Sequence, residues 1–358
     1  MEVLYAYERL LKFAINIFLA TGFNKADAET AAITLLSADL RGIDSHGVAR
    51  LNNYVRLCEA GRIDAKSQPF IKYETPSTAV IDGNSGLGLV IAPYAMEIAI
   101  RKAKNAGSGW ISVQNSSHFG IAGIHAMRAL PHDMIGIAMT NASPLVSPVF
   151  SSDKLIGTNP IAVAIPAGKE TPFVADFATT TASNGKLEIY QRKNIPVPNG
   201  WVQTKEGMPS INASELKQGG AMLPLGGDRE HGSHKGFMLG SIVDIFSGVL
   251  SGANYGPFVP PFPVYLPMPS FMPGKGIGHF FGAMRINAFR PAVEFKKDMD
   301  DWILQIKKAT RINEADKVII PGEPEAEMEI YRRIHGIPLY KTVETELQEL
   351  SERLSVHL

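Results

Sequence analysis

A short polar segment near the N-terminus carries side chains that can exchange protons and bind anions. Residues 41–50 read Arg-Gly-Ile-Asp-Ser-His-Gly-Val-Ala-Arg and lie between two predicted helices. If Ser45 caps the helix that follows, the third in the chain, His46 lies in its first turn and Arg50 one turn later on the same face. The positive helix end keeps His46 able to exchange a proton near neutral pH, and Arg50 can hold a carboxylate through paired hydrogen bonds. A helix–turn–helix corner with ordinary capping is the alternative.

A second histidine follows a predicted strand. His118 lies in the segment Asn115–Gly120, shortly after the apolar run Trp110–Val113. Ligands of α/β sheets collect at the carboxyl ends of strands, so this position predicts a role in a ligand site. A structural histidine with satisfied hydrogen bonds is the alternative.

Three further segments combine glycine with polar residues: 157–160 (Gly-Thr-Asn-Pro), 176–180 (Asp-Phe-Ala-Thr-Thr) and 232–237 (Gly-Ser-His-Lys-Gly-Phe). Lys235 lies at the start of a predicted apolar helix, where it offers a charge beside backbone N–H donors, as a phosphate requires. Each segment alone fits a turn. Their joint presence predicts a ligand-binding surface.

The common nucleotide-binding and hydrolase motifs are missing from this sequence. Gly86 and Gly88 follow a strand-like segment, but Ile91 stands where a Rossmann motif has its third glycine. No acid follows about 20 residues downstream, and there is no Walker A loop, zinc-protease motif or nucleophile elbow. The sequence therefore argues against a Rossmann dinucleotide site.

Two pairs of histidines have spacings that fit one helix face: His118 with His125, and His231 with His234. A metal site built from such pairs needs further ligands, and the sequence marks none. We therefore predict no bound metal. A metal-dependent hydrolase that uses these pairs is kept as an alternative function.

The apolar pattern predicts an α/β fold. Three helices are expected within the first 62 residues, with glycines at their ends. From about residue 69, short runs rich in Val and Ile alternate with turn residues, which is typical of strands. These runs are Thr78–Ile81, Trp110–Val113, Ile135–Met139 and Ile161–Ile165. Helical patterns cover Ile91–Asn105, Ile121–Leu130 and Lys235–Leu250.

A proline-rich segment, residues 255–274, follows the last of these helices. Its seven prolines are spaced so that neither a helix nor a central strand can form. We predict an extended loop with apolar side chains available to cover a surface or a partner: Phe258, Val259, Tyr265 and Phe271.

Helical patterns return after Arg290, at Met299–Lys308 and Glu344–Leu354. This suggests that the two chain ends pack together. We predict a discontinuous helical domain of residues 1–75 and 291–358 around an α/β domain of residues 76–290.

Charge and cysteine content exclude several classes of protein. The chain has 35 basic and 35 acidic residues and no long run of like charges, so neither nucleic acid nor an anionic membrane is an expected partner. One cysteine, Cys58, excludes an intramolecular disulfide framework and suits a reducing compartment. The apolar stretch Phe237–Leu250 is too short to span a bilayer, and the N-terminus lacks the pattern of a signal peptide. We predict a cytoplasmic protein.

Taken together, the polar segments resemble the type-2 malate/L-lactate dehydrogenase family, which also includes ureidoglycolate, sulfolactate and diketogulonate dehydrogenases or reductases. The resemblance covers nearly the whole chain and is specific as an ordered set. Its motifs are Ala38–Gly47, Gly157–Pro160, Lys235–Phe237, Pro321–Glu325 and Gly336–Leu339.

The resemblance implies a nicotinamide-binding fold other than the Rossmann fold, and a homodimer with active sites near the subunit interface. It makes His118 the catalytic proton acceptor and gives His46 a second proton-transfer role. Arg50 would anchor the substrate carboxylate, with Ser45 also at the substrate. The residues implied at the cofactor are Asp176, Phe177, Ala178, Lys235, Gly322, Glu323 and Pro324, with Asn141 and Thr158 nearby.

The run Gly276–Gly282 looks most like members called malate dehydrogenases, so the expected reaction is (S)-malate to oxaloacetate with NAD, NADP also being possible. L-lactate, ureidoglycolate and other 2-hydroxy acids are alternative substrates. One departure concerns a serine of some relatives that contacts the cofactor. Ala142 stands at that position here, with Ser143 beside it, and whether Ser143 substitutes is open. From another class, an inactive binding protein of this fold is the alternative.

Overall fold

The computed structural model describes residues 3–313 and 316–358. Within these ranges the α-helices are α1 (Tyr7–Ala20), α2 (Lys25–Leu40), α3 (Leu51–Glu59), α4 (Gly88–Ala106), α5 (Ala122–Met127), α6 (Asn184–Lys193), α7 (Ser233–Asp244), α8 (Ala292–Lys307), α9 (Glu323–His335) and α10 (Lys341–Leu354). The strands are β1 (Val3–Tyr5), β2 (Phe70–Glu74), β3 (Thr78–Asp82), β4 (Ser108–Ser116), β5 (Met134–Thr140), β6 (Ile161–Ile165), β7 (Phe173–Phe177), β8 (Val202–Gln203), β9 (Pro209–Ser210), β10 (Ala221–Met222), β11 (Ile277–Arg285) and β12 (Ile337–Leu339).

A mixed seven-stranded sheet of order β2-β3-β4-β11-β5-β6-β7 forms the centre of the fold. Among the described strands of this sheet, β3 and β4 alone pair in parallel, and the other neighbours run antiparallel. The predicted α/β character is therefore confirmed, and all four strands expected from the apolar runs are present. His118 follows the end of the internal strand β4, whereas Phe177 ends the edge strand β7.

Small side chains allow the long helix α4 to lie close against the sheet. Four alanines of α4 are fully buried with β-branched residues of the strands, at positions 92, 95, 99 and 103. A Cβ on Gly109 of β4 would lie 2.1 Å from the carbonyl oxygen of Ala99, so only glycine fits there. This close contact fixes β4, and with it the loop that carries His118.

The first three helices share one hydrophobic core with α10. Its fully buried residues include Phe13, Leu35 and Tyr54, and Leu347 of α10 packs among them. Burying side chains of this size stabilises the fold by about 1.5–3 kcal/mol each. Strand β1 pairs antiparallel with β12, so residues from near the beginning and near the end of the described chain are in contact.

Helix α8 contacts a different part of the molecule. Asp300 accepts hydrogen bonds from the backbone N–H groups of residues 168–170, in the turn between β6 and β7. Trp302 packs edge-on against Phe173 at 6.0 Å. The bounds of a discontinuous helical domain therefore stay a prediction.

Two other predictions concern the segment that follows β10. The helix expected over Lys235–Leu250 is α7 followed by a wider π-helical turn, Ile245–Val249. The proline-rich segment 255–274 is an irregular loop with one 3₁₀ turn, Gly256–Phe258, which confirms its prediction. Among the described helices, none has both the length and the apolar content that a bilayer crossing requires.

Candidate active site

The turn that carries His46 differs from the predicted helix start. Asp44–His46 is a 3₁₀ turn, Gly47 interrupts it, and a second 3₁₀ turn leads into α3 at Leu51. The Ser45 hydroxyl does not cap a helix and instead forms a hydrogen bond of 2.8 Å with Nδ1 of His46. The prediction that Ser45 caps the third helix, with His46 and Arg50 one turn apart on it, was therefore wrong.

A buried carboxyl group of α2 organises this turn instead. Asp39 accepts a hydrogen bond of 2.7 Å from the backbone N–H of Val48. A Cβ on Gly47 would lie 2.1 Å from Oδ1 of Asp39, so the chain can pass this carboxyl group only as glycine. Burial raises the pKa of Asp39 to about 8.

The side chain of Arg50 folds back over the turn that precedes it. Its Nε donates a hydrogen bond of 2.6 Å to the backbone oxygen of Ser45. Within the described ranges no carboxylate forms an ion pair with Arg50, so its charge is available to a ligand. The nearby acids Asp39 and Asp44 contact Val48 and Arg332, respectively.

The structure brings His46 and His118 together from distant parts of the sequence. Their rings lie 5.7 Å apart, centroid to centroid, and are inclined by 23°. Nδ1 of His118 is 2.6 Å from the hydroxyl of Tyr54 and 3.3 Å from the backbone N of Gly120. Both contacts engage Nδ1, so Nε2 is the ring nitrogen left for a ligand, and it can accept a proton in the tautomer whose Nδ1–H donates to the Tyr54 hydroxyl.

Both histidines are held in the neutral form at pH 7. Burial and the charge of Arg50 lower the pKa of His46 to about 4. Burial, then His46 and Arg50, lower the pKa of His118 well below its usual range. The expected cause, a helix end acting on His46, is replaced by burial and a neighbouring guanidinium. Each imidazole is thus a potential proton acceptor.

Two aromatic residues of the site, Tyr54 and Phe262, were not predicted from the sequence. Tyr54 lies four residues after Arg50 on α3, so helical spacing from Arg50 was a usable signal. Phe262 comes from the proline-rich loop, and its ring lies 4.5 Å from that of His118 and 5.3 Å from that of Tyr54. None of the loop side chains singled out from the sequence is Phe262.

A second group of predicted residues meets around the edge strand β7. Asp176 and Phe177 end this strand, and Ala178 follows it. The next residue, Thr179, donates its N–H to the backbone oxygen of Thr158 at 2.9 Å and accepts one from Leu225 at 2.9 Å. Leu225 in turn lies against the first turn of α7, where a Cβ on residue 236 would come within 2.3 Å of its oxygen. Thr158 and the start of the helix that carries Lys235 are therefore close to the end of β7.

The start of α9 lies against the same strand. Gly322 has a left-handed backbone (φ +91°), and a Cβ there would lie 2.7 Å from the Cβ of Val174. Glu323 and Pro324 begin the helix, and the Glu323 carboxylate forms an ion pair of 3.0 Å with Lys307. The start of this 13-residue helix thus lies beside β7.

Asp176 connects this surface with the loop of His118. Its Oδ2 accepts a hydrogen bond of 2.7 Å from the N–H of Gly123, five residues after His118. Lys235 is exposed, and in the described part of the chain its ammonium group has no ion-pair partner.

Asn141, which the resemblance implies near the cofactor, is engaged in hydrogen bonds within the protein. It is buried, and its amide nitrogen donates to the Asp244 carboxylate and to the Asn254 carbonyl. Its amide oxygen accepts from the N–H of Gly278. The side chain therefore holds α7 against the central strands.

The histidine pairs of the hydrolase alternative are used elsewhere. Nε2 of His125 is hydrogen-bonded to the Phe119 carbonyl, and Nδ1 of His231 lies 2.7 Å from Asp228. Among the residues with described positions, no three side chains of the metal-binding types come together.

Comparisons with known proteins show which proteins this chain is similar to. The profile of the malate/L-lactate dehydrogenase family matches residues 5–348. Malate dehydrogenase of Pyrococcus horikoshii is 40% identical over 350 residues, which cover 98% of this chain and 95% of that protein. Malate/(S)-sulfolactate dehydrogenase of Methanothermus fervidus is 36% identical over 344 residues, 96% of each chain. The crystal structure of malate dehydrogenase from Entamoeba histolytica has a TM-score of 0.92 at 34% identity and covers 100% of this chain and 99% of that one.

These matches extend over almost the full length of the sequence and include the segments that carry His46, Arg50, His118 and Lys235. The resemblance inferred from the polar motifs is thereby confirmed. The chain belongs to the malate/L-lactate dehydrogenase family.

Proposed function

We propose that this protein oxidises a 2-hydroxy acid to the 2-oxo acid with a nicotinamide cofactor, and that (S)-malate and oxaloacetate are its substrate pair. The observation that carries the proposal is the meeting of two neutral histidines with an arginine that has no carboxylate partner in the described chain. Besides a hydride acceptor, this oxidation needs a group that accepts the hydroxyl proton and a group that anchors the carboxylate. The malate dehydrogenases among its relatives support malate as the substrate.

In this proposal Arg50 holds the 2-carboxylate through its terminal N–H groups, and Nε2 of His118 accepts the proton of the 2-hydroxyl. A bound carboxylate offsets the charge of Arg50, which is one of the causes that lower the pKa of His118. Substrate binding therefore strengthens His118 as a base at the moment when the base is needed. Tyr54 orients the ring through Nδ1, and His46, held by Ser45, is the second proton-transfer group.

The surface around β7 fits a dinucleotide. Lys235 supplies an unpaired charge at a helix start for a phosphate, and the start of α9 borders the same strand. Asp176 and Phe177 are exposed at the end of β7, with Thr158 close by. When bound, a nicotinamide supplies the acceptor of the hydride. We propose NAD as the cofactor, with NADP tested in the same assay.

The sheet supports a nicotinamide-binding fold other than the Rossmann fold, because a Rossmann sheet is mostly parallel and this one has a single parallel pair. We also keep the two-domain division at residues 75 and 291, and a cytoplasmic location, as proposals. The location rests on cysteine content, and the division rests on the shared core of the first and last helices.

A homodimer completes the proposal, and the outer face of α7 is its proposed interface. Six large apolar side chains are exposed along α7 and its π-helical continuation: Met238, Ile242, Ile245, Phe246, Val249 and Leu250. Isolated exposed apolar residues are ordinary, but a continuous stripe of this kind marks an association surface. Light scattering of Ile245→Glu should show a monomer, whereas the exposed control Val293→Glu on α8 should keep the wild-type mass.

The activity itself is tested with 2-hydroxy acids and NAD or NADP, and with 2-oxo acids and the reduced cofactors, read at the nicotinamide absorbance. We expect the highest kcat/KM with malate and oxaloacetate. Faster turnover of lactate or ureidoglycolate would replace the substrate but keep the reaction class. Cofactor binding with no turnover of any acid would favour the inactive binding protein, and a stoichiometric metal would favour the hydrolase.

A further inference from the structure

The backbone of residues 260–263 is unusually well fixed for a loop. This Pro-Pro-Phe-Pro segment has only one N–H, that of Phe262, since proline has none. The hydroxyl of Ser143 accepts that N–H at 3.2 Å and donates to the carbonyl of the first proline at 3.3 Å. The guanidinium of Arg62 donates to the carbonyl of the second. Three polar groups of the segment are therefore bound by two side chains.

This fixed segment places an aromatic ring at the proton acceptor. The rings of Phe262 and His118 lie 4.5 Å apart, and Phe262 also packs edge-on against Tyr54. With His46 at 5.7 Å, three rings surround His118. A substrate whose hydroxyl reaches Nε2 of His118 therefore has Phe262 as an immediate neighbour.

We propose that Phe262 is a specificity-determining residue, an apolar wall that limits the size of the substituent on C2 of the hydroxy acid and excludes water from His118. The inference rests on the proposed function, since it concerns the same site. Ser143 and Arg62 are positioning residues that act through the loop. Ser143, the residue beside Ala142, therefore has a role of its own: its hydroxyl holds the loop that carries Phe262.

The position of Val264 separates this role from simple packing. Phe262 and Val264 lie in the same loop, and both are partly buried against the core of the N-terminal helices. Only Phe262 has a described contact with the ring of His118. Val264→Ala therefore removes apolar packing from the loop while leaving the wall in place.

The test compares Phe262→Ala, Phe262→Leu and Val264→Ala in the full-length enzyme. The measured quantity is the ratio of kcat/KM for 2-hydroxy-4-methylpentanoate to that for the best small hydroxy acid. Apolar contacts of about one methylene change such ratios by roughly 10–200-fold. We expect Phe262→Ala to raise the ratio at least about 10-fold, Phe262→Leu to restore most of the original ratio, and Val264→Ala to leave it unchanged.

The pH profile of kcat/KM is a second readout, and a mere loss of stability in the variant would not shift it. Water admitted by Phe262→Ala should shift the acid limb of kcat/KM upwards, towards the ordinary value for histidine, whereas Val264→Ala should not. If Phe262→Ala does not fold, Ser143→Ala takes its place and should move both readouts in the same direction by a smaller amount.

The outcomes for the two proposals are distinct. A wild-type enzyme that oxidises no 2-hydroxy acid overturns the proposed function. An active wild type whose Phe262 variants keep both the substrate ratio and the pH profile overturns the role of Phe262 alone.

Discussion

At the scale of single residues, the site depends on a guanidinium group placed beside two imidazoles. Arg50 contributes to the lowered pKa of His46 and of His118, so the charge that attracts a carboxylate also keeps both bases unprotonated. Arg50, the carboxylate anchor, and the two histidines, the proton acceptors, are therefore coupled electrostatically before any substrate binds.

Replacement of His118 by Asn should leave the fold intact and lower kcat for hydroxy-acid oxidation by roughly 10²–10⁴-fold. The amide can keep a contact with Tyr54 at the position of Nδ1 but offers no base at the position of Nε2. Steady-state kinetics measures kcat, and a fluorescence titration of the reduced cofactor checks that the folded protein still binds its cofactor. The exposed His231→Asn is the control. Wild-type kcat in the His118 variant would make this histidine structural.

Arg50→Lys should lower kcat/KM for 2-hydroxy acids by about 10-fold or more, because an ammonium group cannot form the paired hydrogen bonds of a guanidinium. The bond from Nε to the Ser45 oxygen is lost as well. Cofactor Kd should stay near the wild-type value. The defect should shrink for substrates whose carboxylate is replaced by an amide. An equal defect on acid and amide would show that Arg50 supports the fold instead.

The pH dependence of oxidation follows from the same lowered pKa values. The reaction needs neutral imidazole, and a folded pKa of about 4 for His46, with that of His118 also lowered, keeps this form present well below pH 6.5. The acid limb of kcat/KM, which reports the free enzyme, should therefore lie below pH 6. A limb at or above pH 6.5 in a profile corrected for substrate ionisation would contradict the assigned environment.

At the scale of elements, the turn between α2 and α3 is set by one close contact. Gly47→Ala would place a Cβ 2.1 Å from Oδ1 of Asp39, so the turn must move. We expect a loss of stability of about 1–3 kcal/mol and a larger proportional loss of kcat/KM, since His46 moves with the turn. Urea unfolding and kinetics measure both.

The control for this prediction is the double variant with Asp39→Ala, which removes the atom that the new methyl group meets. Its destabilisation should be smaller than the sum of the two single effects. Strict additivity would mean that the contact between the two residues does not determine the turn.

The elements show what local patterns could and could not predict. Ile161–Ile165 was predicted to the residue because prolines bound a short apolar run. The helix start at Ser45 was wrong because Asp39, nine residues before Val48 and buried, binds the N–H that a local cap would take. Local spacing carries no information on such a tertiary contact.

The site residues differ in the same way: some had a local signal in the sequence, and one had none. Arg50 and His118 were recognisable by residue type and flanking glycines, and Tyr54 could have been found by its helical spacing from Arg50. Phe262 had no local signal, because its neighbours at His118 and Ser143 are distant in the sequence. A proline-rich loop indicates irregular backbone but not the surface that it covers.

At the scale of the whole molecule, several histidines are buried in the neutral form. Burial lowers the pKa of His125 to about 4 and that of His279 to about 3, whereas the unfolded value is about 6.5. Between these values the unfolded chain binds more protons, so stability should fall as the pH drops from 6.5 towards 4. For His125 alone the full loss is roughly 3 kcal/mol.

The matched variant for this prediction is His125→Gln, whose amide can still donate to the Phe119 carbonyl but does not titrate. Its Tm should fall less steeply between pH 6.5 and 4 than that of the wild type. Parallel curves would show that His125 does not contribute. The buried carboxyl group of Asp39 has a raised pKa and acts in the opposite direction in both proteins, so it cancels in the comparison.

The pairing of β1 with β12 has a consequence for the order of events during synthesis. The helices on either side of the turn with His46 and Arg50 leave the ribosome before the central sheet, but their shared core is completed by α10, and strand β1 is paired by residues 337–339. Contacts of such high sequence separation form late, since a long stretch of chain must be closed to make them. The central sheet can assemble earlier from the intervening residues. The nascent chain would thus hold a formed cofactor surface at β7 before the Arg50 turn is secured, and during that interval its N-terminal helices have an exposed apolar face that a chaperone can bind.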